Sequence, residues 1–507
     1  MTAPKAKHGE WLDHWAFTRR HVVYLLAMTV LAATLRLYRL DQWSLWIDEA
    51  HTFRDVIAPS DVFWQSGVSK YPLSFALLRG AVHWFGLAAT DLSEGVLRLP
   101  AVFFGIASVP LIAVVSRGIV GRRAALLAGL LLAMSPWHIY WSQNARFYSI
   151  VMFFCLAAMG ALYHGLERRN WWLVLSSACL FFLGGYSHPS AYLPAGAALA
   201  YTLLASFSRR ATTRRGNWVP LIVVLLVALL VVMSLPILQR LWEVKRPVFS
   251  LFHLIQTLVF FVGVPVLVAA LGGAVHLFGR PGRAGLFLAC MALLPLLALV
   301  VLSFGGFQRL TAQYAFASLP AVYLLAAVLL ITLLQAFRDI GVRALVLRLV
   351  PLVMILGHMA GEDYLYFEKQ YGWRPRWGEA VRYVKEQHRR AWPRRELVVI
   401  TTNGPSIRYY LDPGRYLDRR DQRTTYVRTI EDWNVLEGRI DYLAGIVATA
   451  RKNKQDLWVV LTEPELDEKD RHSRLDVFIR QNFLQVRRLP NWTGPKDMVV
   501  LIYHLND

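Results

Sequence analysis

Trp46-Ile47-Asp48-Glu49 sets two adjacent carboxylates a few residues beyond the first apolar run, His21 to about Leu40. That run is long enough to cross a bilayer, which takes roughly 20 apolar residues. Asp48 and Glu49 are therefore expected at the membrane surface, where a carboxylate is costly unless water, a cation or a substrate compensates it. Two readings fit the pair. Acidic residues commonly open helices, since the first-turn N–H groups and the helix dipole favour them. Equally, one carboxylate is a candidate general base for a nucleophilic hydroxyl or amine, with the other orienting the acceptor or the base.

A second group of residues lies on the same expected side. The connection Trp137–Ser149 holds Gln143, Arg146 and Tyr148. An arginine near a helix start gains nothing from the macrodipole, so Arg146 calls for an anion: a phosphate, or an ion pair with Asp48 or Glu49. Tyr148 either donates to that anion or belongs to the aromatic belt. Lys70, before Tyr71-Pro72-Leu73, either snorkels to headgroups or meets a lipid phosphate as a point charge. Lys245, Arg246 and Arg309 add positive charge to that face, and Gln313-Tyr314 adds hydrogen-bond donors. His188 ends another apolar run there. A lone histidine is more often a hydrogen-bonded structural residue than a ligand. A metal site with His51 and Glu49 has no supporting spacing.

The elements that must carry these residues are mostly transmembrane helices. The 507 residues are 56% hydrophobic and only 18% charged, below the roughly 25% of soluble domains. Apolar runs beginning near His21, Leu97, Ala124, Phe147, Trp171, Ala191, Trp218, Leu254, Gly285, Tyr314 and Leu345 predict about 11 spans. Most of the net charge of +21 falls before Gly361, in Arg19/Arg20 and basic clusters on alternate loops. That is the positive-inside pattern and not a polyanion-binding face, so nucleic acid is not an expected partner. It predicts a cytoplasmic N-terminus, with the first run kept as an anchor rather than a cleaved leader. Cys155, Cys179 and Cys290 all sit in apolar runs and imply no disulfide framework.

Residues 1–360 are thus expected as the membrane domain. The first exterior loop, about 41–98, is too long for a plain connector and should hold interfacial helices around Asp61–Trp64 and Leu73–Phe85. Residues 361–507 carry both charge signs and alternate strand-like runs (Glu396–Thr402, Leu457–Leu461, Met498–Tyr503) with helical ones (Trp377–His388, Arg474–Phe483). That pattern predicts a small exterior α/β domain. No P-loop, dinucleotide fingerprint or His-Glu-x-x-His is present.

Three functional classes fit these features: an enzyme, a transporter or lipid flippase, and an assembly or sensor protein. A transporter should show pseudo-symmetric halves with broken helices at matching positions; the sequence shows no such halves, and the polar candidates gather on one face.

The Asp-Glu pair after the first helix, Pro72-Leu73, Gln143-x-x-Arg146-x-Tyr148 and a late helix opening at Tyr314 together resemble the integral-membrane glycosyltransferases of the C-type fold. Among these they resemble bacterial members of the protein O-mannosyltransferase and lipid A aminoarabinose transferase superfamily, over about His21 to Leu334. The resemblance implies a C-type fold, a sugar donor on a polyprenyl monophosphate, and transfer with inversion on the periplasmic face of an inner membrane. The acceptor would be a glycan, lipid or protein. By position it makes Asp48 the catalytic carboxylate with Glu49 its neighbour. It puts Lys70, Arg146, Tyr148 and Tyr314 at the donor phosphate, with Gln143 and His188 lining the site. Relatives often open the late helix with Arg-Tyr; here it reads Gln313-Tyr314, so either Arg309 supplies that charge or the contact is absent. No cofactor is required on this reading, and the residues give no support for a divalent metal.

Overall fold

Long apolar runs become the helices of a bundle in the computed structural model. It describes residues 18–65, 71–84, 93–209, 251–280, 282–304, 311–336, 341–417, 427–429, 436–462, 474–490, 492–493, 496–497 and 499–506. Helix α1 (Arg19–Leu37) leads into the first loop. That loop holds α2 (Ile47–Ile57), a short helix Ser60–Gln65, and α3 (Pro72–Trp84). The bundle continues with α4 (Glu94–Val120), α5 (Arg122–Ala133), α6 (Pro136–Ser142), α7 (Tyr148–Arg168), α8 (Trp171–Ser187) and α9 (Tyr192–Arg209). Beyond it come α10 (Leu251–Val262), α11 (Val264–Phe278), α12 (Ala284–Phe304), α13 (Leu319–Ala336) and α14 (Gly341–Tyr364).

Among the described residues, five helices are long and apolar enough to span a membrane, or up to seven if two bent pairs each count as one. The bent pairs fall on the expected third and eighth runs, and each break has a local cause. Between α5 and α6 the axis turns by 60°. Pro136 there lacks an N–H, and Ser135 Oγ caps the new start by accepting from the His138 N–H at 3.2 Å. A proline at the first helical position is pre-set for starting a helix, not for continuing one. The carbonyls freed at the end of α5, Leu132 O and Ala133 O, are taken by the buried Arg36 guanidinium at 3.1 and 3.0 Å. Between α10 and α11 the 95° bend sits at Gly263, whose φ of +85° suits glycine alone, with Pro265 just after it. The runs at Trp171, Ala191 and Leu345 are helical; the one expected at Trp218 lies outside the described residues.

The C-terminal region begins with α15 (Trp377–Ala391). It builds a five-stranded mixed sheet in the order β2-β1-β3-β7-β4. The strands are β1 (Leu397–Thr401), β2 (Val427–Thr429), β3 (Asp456–Thr462), β4 (Phe483–Leu489) and β7 (Val500–Leu505). A separate two-residue ladder joins β5 (Trp492–Thr493) to β6 (Lys496–Asp497). The central runs Val399–Ile400 and Leu457–Leu461 are buried on both faces, as a covered parallel ladder requires. β1 pairs in parallel with β2 and β3, while β7 is antiparallel to β3 and β4.

This region packs onto the first loop. After β1, α16 (Gly404–Leu411) lays Tyr409 into an apolar cluster with Leu45, Phe53, Phe63 and Phe75. The Tyr410 hydroxyl accepts from the Leu45 N–H at 2.7 Å and donates to Glu94 at 3.1 Å.

Candidate active site

The carboxylate pair occupies the first turn of α2, where the helix dipole favours negative charge. Successive residues on a helix point about 100° apart, and here that separates two roles. Glu49 turns inward and is fully buried. Its Oε1 accepts from Arg98 Nε and from the Ala145 backbone N–H, both at 2.9 Å. Its Oε2 accepts from Arg98 Nη2 at 3.1 Å and lies 3.4 Å from Arg374 Nε. Burial alone would push the Glu49 carboxyl up, but the two guanidiniums and the hydrogen bonds outweigh it and hold its pKa below the usual value.

Four chain segments therefore meet at one buried carboxylate: α2, α4 through Arg98, the loop after α6 through Ala145, and the C-terminal region through Arg374. The guanidiniums fix more than the ion pair. Arg98 Nη1 also donates to Leu40 O at 2.7 Å and Trp43 O at 3.1 Å. Arg374 Nη2 donates to Gln143 O at 2.7 Å.

Asp48 turns outward; its side chain is 45% exposed. Facing it is Arg146, from the loop between α6 and α7, whose Nη2 lies 3.5 Å from Asp48 Oδ2. The same guanidinium donates to Thr52 Oγ1 at 3.0 Å, one turn beyond Asp48 on α2. Burial works against the Arg146 charge, and the Asp48 carboxylate more than restores it, so its pKa stands above the ordinary value. Its Nε–H is buried with no hydrogen-bond partner among the described residues. An arginine with a spare donor beside a half-exposed carboxylate retains capacity for an anionic oxygen.

Behind the pair stands an aromatic wall. Phe147 stacks on His188 at 3.7 Å and 10°. His188 in turn lies 5.1 Å from Tyr71, 5.7 Å from Tyr148 and 5.7 Å from Tyr314. The His188 Nδ1 accepts from the Ser190 backbone N–H at 3.1 Å. Burial pushes the Tyr71 phenol up to about 12, so it stays a neutral donor.

Of the residues picked from sequence, the fold gathers Asp48, Arg146, Tyr148, His188 and Tyr314 at one place. Two of the other candidates, Glu49 and Gln143, are fully buried. Glu49, expected as a catalytic carboxylate beside Asp48, is enclosed by two arginines and a backbone amide. Gln143, expected to line the site, is fully buried on the far side of its loop. Its Nε2 donates to Tyr38 O at 2.7 Å and Arg36 O at 3.1 Å, while its Oε1 accepts from Trp43 Nε1 and the Tyr366 hydroxyl. Lys70, Arg309, Lys245 and Arg246 lie outside the described residues.

Sequence reasoning passed over Thr52, Arg98 and Arg374. Arg98 had a usable signal: like Arg146, it is an arginine at the end of a span expected on the exterior side, where positive charge is disfavoured. Thr52 and Arg374 carry none that is local. Among the described residues, no three His, Cys, Asp or Glu side chains converge as metal ligands.

Residues 76–235 match the family described as dolichyl-phosphate-mannose-protein mannosyltransferase; Arg146, Tyr148 and His188 fall inside that stretch and Asp48 outside it. No curated protein matches. Among solved structures, ArnT from Cupriavidus metallidurans bound to undecaprenyl phosphate superposes with a TM-score of 0.52 at 14% identity. The match covers 95% of this chain and 97% of that one. The apo oligosaccharyltransferase of Archaeoglobus fulgidus matches with a TM-score of 0.54 at 14% identity, covering 88% of this chain and 70% of that one. The same enzyme tethered to an acceptor peptide containing the NVT sequon matches at 0.53 and 13% identity, over 97% of this chain and 75% of that one. At such identities the likeness is one of fold. This is an integral membrane protein with the C-type glycosyltransferase fold.

Proposed function

We propose that this chain is an inverting glycosyltransferase that moves a sugar from a polyprenyl-monophosphate donor to an acceptor on the exterior face of the membrane. The observation that carries the reading is the meeting of Asp48 and Arg146 at 3.5 Å, from segments 98 residues apart, with the carboxylate open to solvent. Solved structures of the same fold hold the matching ligands: ArnT with undecaprenyl phosphate, and the archaeal oligosaccharyltransferase with dolichol-phosphate and an inhibitory peptide.

The chemistry is a single in-line displacement. A donor phosphate takes over the Arg146 guanidinium, drawing on its spare Nε–H, and so releases Asp48 from the ion pair. Asp48 then accepts the proton of the acceptor hydroxyl or amine as that group attacks the sugar C1 from the face opposite the phosphate. The bond between C1 and the phosphate oxygen breaks, and its electrons leave with the polyprenyl phosphate. Arg146 stabilises the charge that grows there. General-base help is worth about 10²–10⁴ in rate, and a preorganised donor at the leaving oxygen about 10²–10³. Glu49, Arg98 and Arg374 touch neither reactant; they hold α2 and the Arg146 loop in register. The positive-inside reading sets this site, and the C-terminal region packed beside it, on the side away from the cytoplasm.

The test is purified protein in a bilayer with a radiolabelled polyprenyl-phosphate sugar. Release of free polyprenyl phosphate on addition of an acceptor supports the transferase, and a panel of undecaprenyl-linked sugars identifies the donor. Movement of intact labelled donor between leaflets, without that release, would sink the proposal in favour of a flippase.

A further inference from the structure

We propose that His51 is a positioning residue for Asp48: Arg54 keeps its imidazole uncharged, so that the ring adds no positive charge to the carboxylate when the donor phosphate draws Arg146 away. The inference rests on the transferase reading and assigns the acid limit of that reaction to His51. Residues three and four apart on a helix are surface neighbours. On α2, His51 therefore follows Asp48 on the stripe that also carries Thr52 and Asp55. Thr52 already belongs to the site through its bond from Arg146, and His51 is half-buried beside it.

The state of the ring follows from its partner. Arg54 Nη2 lies 3.2 Å from His51 Nδ1. A guanidinium has N–H groups and no acceptor, so Arg54 donates, Nδ1 accepts with its lone pair, and the ring proton sits on Nε2. A proton arriving at Nδ1 would break that bond and face a guanidinium. Arg54 is itself set from two sides. Its Nε lies 3.6 Å from Asp55 Oδ1, and its guanidinium covers the Tyr416 ring of the short helix Pro413–Leu417 at 5.5 Å. Among the described residues, the charged groups that act on His51 are Arg54, Asp55 and Asp48 of its own helix and Arg146 of the loop after α6. Burial foremost, then Arg54 and Arg146, outweigh the two aspartates and hold the His51 pKa below its ordinary 6.5. The ring is thus neutral above that lowered value and gains charge as pH falls through it. An imidazolium in this place would compete with Arg146 for Asp48. The phosphate could then take the guanidinium and still leave the carboxylate paired, and a paired carboxylate accepts a proton less readily. Acid therefore stops turnover through His51, one turn from the group that receives the acceptor proton.

The experiment uses the full chain in a bilayer and reads two quantities from acid to neutral pH. Release of polyprenyl phosphate from a radiolabelled polyprenyl-phosphate sugar gives kcat/KM. Hydrogen–deuterium exchange at the imidazole C2 position, followed by peptide mass spectrometry, gives the titration of His51 without any turnover. R54M removes the charge and the donor from Nδ1, so the titration of His51 and the acid limb of kcat/KM should both move up by about one pH unit. R54K keeps a positive donor and should bring both back most of the way. In H51Q the limb should move to lower pH, since glutamine gains no proton. A His51 titration that R54M leaves unchanged overturns the hold of Arg54 on the ring. An acid limb that stays in place in R54M while His51 titrates higher overturns the role at Asp48. Should R54M fail to fold, H51Q decides alone, and an unmoved limb there overturns the proposal. A parent that releases no polyprenyl phosphate at any pH, with His51 still shifted by R54M, sinks the transferase reading and with it the role at Asp48, while the uncharged ring stands.

Discussion

Asp48 and Glu49 are neighbours in sequence with opposite fates, and the difference is one of direction. The exposed carboxylate meets solvent and the Arg146 guanidinium; the buried one is held by Arg98, Arg374 and the Ala145 amide. Asp48→Asn should therefore leave folding and donor binding intact while turnover falls at least about hundredfold; unchanged turnover in a single-turnover assay removes Asp48 as the base. Glu49→Gln strips the charge from a buried pair and strands two guanidiniums, which costs about 3–5 kcal/mol, read as a drop in thermal midpoint in detergent. The pH dependence follows from the sign of the shift. The folded-state pKa of Glu49 lies below its ordinary value of 4.5, so its stabilisation is present above that value and is lost as pH falls through the lowered one. The gap in midpoint between parent and Glu49→Gln should thus be constant from neutral pH to about 5 and close in stronger acid. A gap that instead widened in acid would contradict the assignment.

The elements hold these residues by interrupting themselves. Had α5 and α6 continued as one straight helix, the loop that follows would not reach α2. The break at Ser135-Pro136, with Arg36 on the freed carbonyls, aims the chain so that Ala145 meets Glu49 and Arg146 meets Asp48. A second joint lies after α14, where Gly372 adopts φ +58° and a side chain there would meet the Trp43 ring at 2.7 Å. Gly372→Ala should cost about 1–2 kcal/mol in stability from the left-handed backbone alone. It should also lower turnover, because the displaced segment carries Arg374; full activity at normal stability would show that this joint does not set the site.

On the scale of the whole molecule, the C-terminal region is part of what shapes the first loop. Tyr409 packs beside Phe53 on the helix that bears Asp48, Tyr410 bridges Leu45 and Glu94, and Arg374 reaches Glu49. A chain ending after Ala360 should keep α1–α13, most of α14 and both Asp48 and Arg146. It should nonetheless lose at least about tenfold in turnover, since Arg374 is then missing from a buried charge pair. Co-expression of residues 361–507 as a separate piece is the check. Restored activity confirms that contact, not covalent continuity, matters, while an undiminished truncated chain would confine the site to the bundle.

Local pattern in the sequence determined a good deal. The apolar runs, the charge-bearing loops, the three principal strand runs and the helices beside them follow from hydropathy and periodicity, which act over a few neighbouring residues. Asp48 and Arg146 were legible because each is a charge where the membrane surface makes a charge expensive. What tertiary structure alone decided was orientation and pairing. Which of two adjacent acids faces inward depends on whether arginines from distant segments are there to meet it, and the motif residue Gln143 turned away because the end of α1 offered it backbone carbonyls. The bends at Ser135 and Gly263 reduced runs that hydropathy counts as simple spans. Periodicity reports how apolar a stretch is, and only the packing of its neighbours says whether that stretch runs straight.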